Sequence, residues 1–320
     1  MTADRIVPIG EIEAARELIA GKVHRTPMLA SATAARVVEA ATGARIGDGR
    51  VYLKAEHLQK TGSFKPRGMT AKVASLSAAD HERGIITFSA GNAAQGYAFA
   101  GAAVGVPVTV VMPAAANPTK AAATRGYGAE VVLEGAHFGE VYAAMERIRD
   151  ERGLVLCHPF DDPEVIAGHG SVGLEILEDL PEIDVVVVAI GGGGLISGTA
   201  AAIRERRPAV RVYGVEPTGS DAMSQALAAG RPVAFAPHSV ADGLNAPFAG
   251  KWTLAMVRRY VEDVVRLEDP TILAGLRFAM ERVKQTVEPA GAAGLAALLT
   301  GRIPVRAGER VCVVLSGGNL

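Results

Sequence analysis

Along this chain the spacing of apolar positions alternates between helix-like and strand-like periods. Ile12, Ala15, Leu18 and Ile19 fall at helical spacing over residues 11–19, and Gly21 marks a stop. Residues 24–29 read as extended, because Pro27 biases Thr26 away from the helical region. A second helix is predicted over 33–41, closed by Thr42-Gly43, and residues 51–55 alternate as a strand does. A helix through Ala71, Val73 and Leu76 begins at Lys65. Strand-like runs at 85–88, 108–112, 131–133 and 154–156 are then separated by helical patterns over 92–104, 118–126 and 139–152. A second series follows: a strand at 185–190, a helix after Gly194, strands at 210–216 and 261–267, a long helix over 270–287 and a strand at 311–315. Strands separated by helices of this length specify parallel sheets. The four consecutive valines 185–188 predict a strand buried on both faces. The fold class is therefore α/β, with two lobes, each a mostly parallel sheet flanked by helices, and a cleft between them. The stretch 231–238, with its two prolines, reads as a surface connection.

Composition narrows the function. The 320 residues are enough for two domains, and 49% hydrophobic with 21% charged residues is the make-up of a water-soluble globular protein. A net charge of -1 supplies neither a basic field for nucleic acid nor a polybasic membrane patch, so neither partner is expected. Cys157 and Cys312 each sit inside an apolar strand-like run and read as small buried hydrophobes in a reducing compartment. Met1 to Arg5 carry no apolar stretch and no run approaches the ~18 apolar residues of a membrane span, so a cytoplasmic protein is expected.

Four segments carry chemistry. Lys65 stands where a strand passes into a helix, the kind of junction at which α/β sheets build sites. Its amine could bind a phosphate as a point charge, form a Schiff base with a carbonyl, or simply be solvated. Gly191-Gly192-Gly193-Gly194 follows the valine strand and opens a helix, so successive backbone amides can converge on an anion. It lacks the Lys-Ser/Thr pair of a nucleotide loop, and a single phosphate monoester suits it better; the alternative is a tight turn that lets helix and strand pack closely. Ser89-Ala90-Gly91-Asn92 occupies another strand-to-helix turn, able to bind a small carboxylate or merely to cap the helix. Ser316 ends the final strand, at the edge where Gly191 and Ser89 are expected to end theirs, and its hydroxyl can hydrogen-bond a neutral ring nitrogen. Together these groups suit pyridoxal 5′-phosphate and a small amino acid substrate.

The resemblance is specific. Arg25-Thr26-Pro27, the run from Lys54 through Ser63-Phe64-Lys65, the Ser89 turn, His158-Pro159-Phe160-Asp161-Asp162-Pro163, the tetraglycine, Val215-Glu216-Pro217, Ala241-Asp242-Gly243-Leu244, Val287-Glu288-Pro289 and Ser316-Gly317-Gly318-Asn319 occur in one order. In this the chain resembles the serine/threonine dehydratase branch, which includes serine racemase, of the fold-type II, tryptophan synthase β-like, pyridoxal phosphate enzymes. The resemblance implies a large cofactor-binding domain from 1–53 and 155–320 and a small domain from 54–154. It implies that Lys65 carries the cofactor and acts as the catalytic base, that Phe64 packs on the pyridine ring, and that Asn92 bonds the ring's 3′-oxygen. It gives the phosphate to Gly191, Gly192, Gly193, Gly194 and Leu195, the ring nitrogen to Ser316, and the substrate carboxylate to Ser89, Gly91 and Asn92. Gly243 and Glu288 line the pocket. The implied reaction is β-elimination of a 3-hydroxy amino acid, L-threonine or L-serine, to a 2-oxo acid and ammonia. The alternatives are a serine or hydroxyaspartate racemase/dehydratase, a dehydratase of a bulkier 3-hydroxy acid, a cysteine-synthase-like replacement enzyme and a catalytically silent cofactor binder. A homodimer is expected. With the sequence ending at Leu320, the allosteric domain of the long biosynthetic enzymes is not expected.

Three positions depart from the family pattern. Ala90 stands where racemases place a reprotonating serine, and Ala93 where these enzymes commonly carry histidine, which leaves a roomier pocket. Family members often hold a divalent cation (Mg, Ca or Mn) through the glutamate, the carbonyl four residues on and an acidic side chain two beyond. Here Glu216 and Ser220 keep the first two, but Ala222 takes the third, with Asp221 one residue out of register, so a weakened or altered site is expected.

Overall fold

The structure is a computed structural model describing residues 6–320; the N-terminal Met1 to Arg5 segment considered above lies outside the described residues. Its strands run in chain order as β1 (Met28–Ser31), β2 (Val51–Lys54), β3 (Ile85–Phe88), β4 (Val108–Met112), β5 (Glu130–Leu133), β6 (Val155–Leu156), β7 (Val185–Ala189), β8 (Arg211–Pro217), β9 (Asp263–Leu267) and β10 (Val311–Val314). They form a six-stranded sheet of order β1-β2-β10-β7-β8-β9 and a four-stranded sheet of order β5-β4-β3-β6. Only the β1–β2 pair is antiparallel. β6, which the expected division assigns to the larger lobe, pairs with Ile85 and Ile86 of β3 in the smaller sheet.

The larger sheet is covered on both sides, which is what the valine run requires. Val186 and Val188 point into a core with the helices Ile9–Ile19, Pro163–Asp179 and Gly194–Arg206. Val185 and Val187 point the other way, towards the helices Ala32–Thr42 and Pro289–Leu299. The smaller sheet packs Ile85, Val108 and Val110 against the helices Lys65–Ser75 and Asn92–Ala102, and Ile86, Phe88 and Val111 against Phe138–Arg152. Both cysteines are buried and free, and burial pushes each thiol up to about 12. No helix among the described residues is long and apolar enough to cross a membrane.

Several helical segments differ from the sequence pattern, two of them near the cavity's supporting elements. The long helix expected over 270–287 ends as Asp269–Phe278 plus one wide turn, Ala279–Val283, after which Lys284 reverses the chain at φ 62°. The residues that follow are extended, as Pro289 demands of Glu288, and they deliver Glu288 to Gly317, whose carbonyl accepts the Glu288 N–H at 3.0 Å. The helix Pro163–Asp179, the longest of the fold, is absent from the periodicity reading because Gly168, Gly170 and Gly173 depress its helical propensity. The glycines are there for contact: a Cβ on Gly168 would lie 2.5 Å from the Arg67 carbonyl oxygen, and one on Gly173 2.5 Å from that of Thr199. Its start was legible all the same, since Asp162 caps the amides of Glu164 and Val165 and Pro163 takes the first turn.

Candidate active site

Lys65 is the first residue of its helix, with Pro66 second, where a missing N–H costs nothing. The chain reaches it from β2 through two short 3-10 turns, the second passing through left-handed Thr61 (φ 62°) and Gly62 (φ 73°). Ser63 bridges to Gly317, and the Phe64 N–H donates to the Ser316 carbonyl at 3.1 Å. Backbone contacts thus pin the lysine beside the end of β10. Its Nζ donates to the Pro159 carbonyl at 3.0 Å, and burial pulls the amine down to about 8, opposed by the charge of Glu288.

The tetraglycine ends β7, the neighbour of β10. A Cβ on Gly192 would lie 2.3 Å from the Phe160 ring, and one on Gly193 2.8 Å from both Met223 and Thr253. Gly193 also sits at φ 93°, open to glycine and hostile to other residues. The Ser197 N–H bonds the Gly193 carbonyl, so the amides of Gly194, Leu195 and Ile196 precede the first intrahelical bond and are left for a ligand. The backbone here comes as close to a ligand as a chain can, with the positive end of a buried helix behind it.

The Ser89 turn ends β3, which belongs to the smaller sheet. The expected common edge with Gly191 and Ser316 is therefore two edges facing one cavity. Within the turn the Gly91 N–H donates to Ser89 Oγ at 3.2 Å. Asn92 joins the sheets, donating from Nδ2 to Glu288 Oε1 at 2.8 Å and accepting from Asn319 Nδ2 at 2.8 Å. Burial and the charge of Asp242 push Glu288 up to about 7. Phe64, Lys65, Ser89, Gly91, Asn92, Gly191, Gly192, Gly193, Gly194, Leu195, Gly243, Glu288 and Ser316 all line a single cavity of about 430 Å³.

Glu216 and Ser220 are not among its lining residues. The Glu216 carboxylate accepts from the amides of Met223 (2.7 Å) and Ser224 (2.9 Å) and from Ser224 Oγ (2.7 Å), and so caps the helix Ala222–Ala229. Ser220 Oγ donates to the Leu244 carbonyl at 2.8 Å, and Asp221 pairs with Arg266 at 3.1 Å. The Glu216 carboxylate is thus engaged at a helix end, and the out-of-register Asp221 is engaged with Arg266. Among the described residues no cluster of three metal-ligating side chains occurs.

A family model described as "pyridoxal-phosphate dependent enzyme" matches residues 19–317. The chain belongs to this family. It is 43% identical over 98% of its length to an L-threonine ammonia-lyase of Thermotoga maritima, covering 76% of that protein. It is 38% identical over its whole length to a catabolic L-threonine dehydratase of Escherichia coli, covering 95% of that chain. The solved structure of maize serine racemase superposes with a TM-score of 0.91 at 35% identity, over 98% of this chain and 94% of the other. The cavity suits the family's cofactor on its own terms, through the buried amine of Lys65 and a glycine turn whose amides at Gly194, Leu195 and Ile196 precede the first intrahelical bond.

Sequence reasoning passed over what lies behind the lysine of this pyridoxal phosphate family member. Arg67, 1% exposed, makes paired bonds to Glu56 (2.8 and 2.9 Å) and to Glu175 (2.7 and 2.8 Å). Lys54, fully buried, bonds Glu175 and the Thr26 carbonyl, both at 2.7 Å. These buried cations and carboxylates, with Asp179 3.6 Å from Lys54 at the edge of the interior, form a network that ties the Lys65 helix to Pro163–Asp179. His169 Nδ1 accepts the Gly68 N–H at 3.1 Å, one of the donors that a helix start leaves unpaired, while its ring stands edge-on to Phe64 at 4.7 Å. Burial holds this histidine neutral. The signal was present, since Lys54, Glu56 and Arg67 flank the Lys65 motif, but Glu175 is more than 100 residues away in sequence.

Proposed function

We propose that the protein is a pyridoxal-phosphate-dependent dehydratase that converts L-threonine or L-serine to a 2-oxo acid and ammonia by β-elimination. The observation that carries the reading is a desolvated lysine amine between a phosphate-sized set of free amides and a carboxylate-sized turn. The likeness to threonine ammonia-lyases over nearly the whole chain supports it. Gly191, Gly192, Gly193, Gly194 and Leu195 would hold the cofactor phosphate, Ser316 would meet the ring nitrogen and Asn92 the 3′-oxygen, Phe64 would pack on the ring, and Glu288 and the Gly243 backbone would line the pocket. When bound, the cofactor supplies an electron sink for the charge left at the substrate α-carbon.

The chain's own groups do the rest. Ser89, Gly91 and Asn92 hold the substrate carboxylate, which fixes the Cα–H bond relative to Lys65. Lys65 Nζ takes the α-proton, a task suited to an amine whose affinity for protons burial has reduced. Ala90 presents no hydroxyl to return a proton from the opposite face, which favours loss of the β-hydroxyl over racemisation. With Glu216 engaged as a helix cap, this reading assigns no catalytic part to a divalent cation there. The same reading takes the chain as a cytoplasmic homodimer of a large and a small domain.

The test is to incubate the cofactor-loaded protein with L-threonine and L-serine. The expected result is 2-oxobutyrate and pyruvate, with a visible absorbance band that Lys65→Ala abolishes. Recovery of amino acid of inverted configuration without 2-oxo acid would replace the reading with a racemase.

A further inference from the structure

The two sides of the cavity differ in chemistry. The side at the ends of β7 and β10 presents amides and the Ser316 hydroxyl, as a phosphorylated polar ring requires. The other side, at the ends of β3 and β4 and the first turn of Phe138–Arg152, is walled by Phe88, Pro113, Phe138, Val141 and the methyl groups of Ala90 and Ala93. Phe138 stands edge-on to Phe88 at 5.7 Å and to Phe248 at 5.7 Å, and Phe248 in turn lies 5.6 Å from Phe160, so the wall is a packed aromatic arc. Phe138 nevertheless remains 36% exposed and lines the cavity. Two charged groups at the rim, Lys120 and Asp242, neutralise each other and put no net charge before an apolar guest.

A threonine methyl group covers little of this surface. We propose that the wall is the side-chain pocket for a 3-hydroxy amino acid bearing an aromatic or branched apolar group on C3, with Phe138 and Ala93 as the residues that set this preference. The inference rests on the dehydratase reading and deepens it. The chemistry is unchanged: Lys65 takes the proton from C2, the C3–O bond breaks and the oxygen leaves as water. One water then adds back at C2 as ammonia departs, leaving the 2-oxo acid. An aryl substituent on C3 conjugates with the double bond that elimination creates, so the same step serves it.

The experiment compares L-threo-3-phenylserine with L-threonine as substrates of the holoenzyme. In parallel, calorimetry measures binding of L-phenylalanine and L-2-aminobutyrate, which are the same two molecules without the leaving hydroxyl. The expected kcat/KM for phenylserine lies within about tenfold of that for threonine, with phenylpyruvate and ammonia as products and with phenylalanine bound more tightly than aminobutyrate. Phe138→Ser, at a half-exposed position, and Ala93→Leu, which fills the pocket, each lower the phenylserine-to-threonine ratio by about tenfold and reverse the binding preference. Turnover of threonine without phenylserine, together with tighter binding of aminobutyrate, overturns the inference and leaves the dehydratase reading intact. Silence on both hydroxy acids sinks that reading and this inference with it, and threonine alone tells the two failures apart.

Discussion

At the end of β7 an added Cβ on Gly191, Gly192, Gly193 or Gly194 meets another atom at 3.1 Å or less, whereas at the end of β3 one on Gly91 meets nothing within 4 Å. Both turns join a strand to a helix and both carry glycine, yet at the first the surroundings leave no room for a side chain while at the second there is open space. A turn jammed against its own protein has one shape and suits a resident group held for the life of the enzyme. A turn open on one side suits a molecule that arrives and leaves with each turnover. The contrast extends beyond the turns: Lys65 stands on a helix anchored by the buried Arg67 network, while the wall beside β3 ends in the partly exposed Phe138 ring.

The largest effect on this contrast comes from the group that serves both sides. Lys65→Ala is expected to cut 2-oxo acid formation about 10³-fold or more, while the phosphate turn still retains cofactor, measured as bound phosphate and as pyridoxal phosphate released by alkali after gel filtration. Next is Arg67→Met, which strands the buried Glu56 carboxylate and leaves Glu175 with Lys54 alone, and should cost roughly 3–5 kcal/mol in urea unfolding. A cost under about 1 kcal/mol would mean that the network is no more than a surface pair. Third, the turns can be compared directly. Gly192→Ala drives a methyl into the Phe160 ring and should cost about 1–3 kcal/mol with weaker cofactor binding. Gly91→Ala should leave stability within about 0.5 kcal/mol and act instead on KM for the substrate. Equal losses of stability in the two variants would erase the distinction.

Smaller effects follow at Glu216. Burial pushes this carboxyl up to about 7 against its hydrogen bonds, from an unfolded value near 4.5. Between those pH values the folded chain binds more protons than the unfolded chain, so stability falls as pH rises through this window. Glu216→Gln should flatten that slope in denaturation measured from acid to neutral pH; an unchanged slope would refute the assignment. Smallest of all, a chelator should alter turnover of the holoenzyme by less than about twofold, since hard cations demand several free oxygen ligands. A large loss restored by Mg²⁺ or Ca²⁺ would return Glu216 to metal binding.

Much of this site was legible in sequence because its parts are local. Lys65 and the glycine turn each sit where a change of period from strand to helix announces a junction, and the four valines specified a doubly covered strand before any partner was known. Helix Pro163–Asp179 was missed because contact glycines break the helical signal that Asp162-Pro163 begins. Helix Pro289–Leu299 was missed because it is apolar on every side and so has no periodicity to read.

The sequence by itself determined the alternating α/β order, a lysine at a helix start, a glycine turn between strand and helix and the near-zero net charge. These follow from backbone rules and side-chain chemistry that operate within a few residues. Only the tertiary structure decided that Ser89 and Gly191 end strands of different sheets and meet across a cavity. It also decided that Arg67 is neutralised by Glu175 from across the fold, and that Glu216 spends its oxygens on the amides of Met223 and Ser224. Burial, charge pairing and the assignment of lone pairs depend on which distant segments arrive at one place, and local sequence does not specify that.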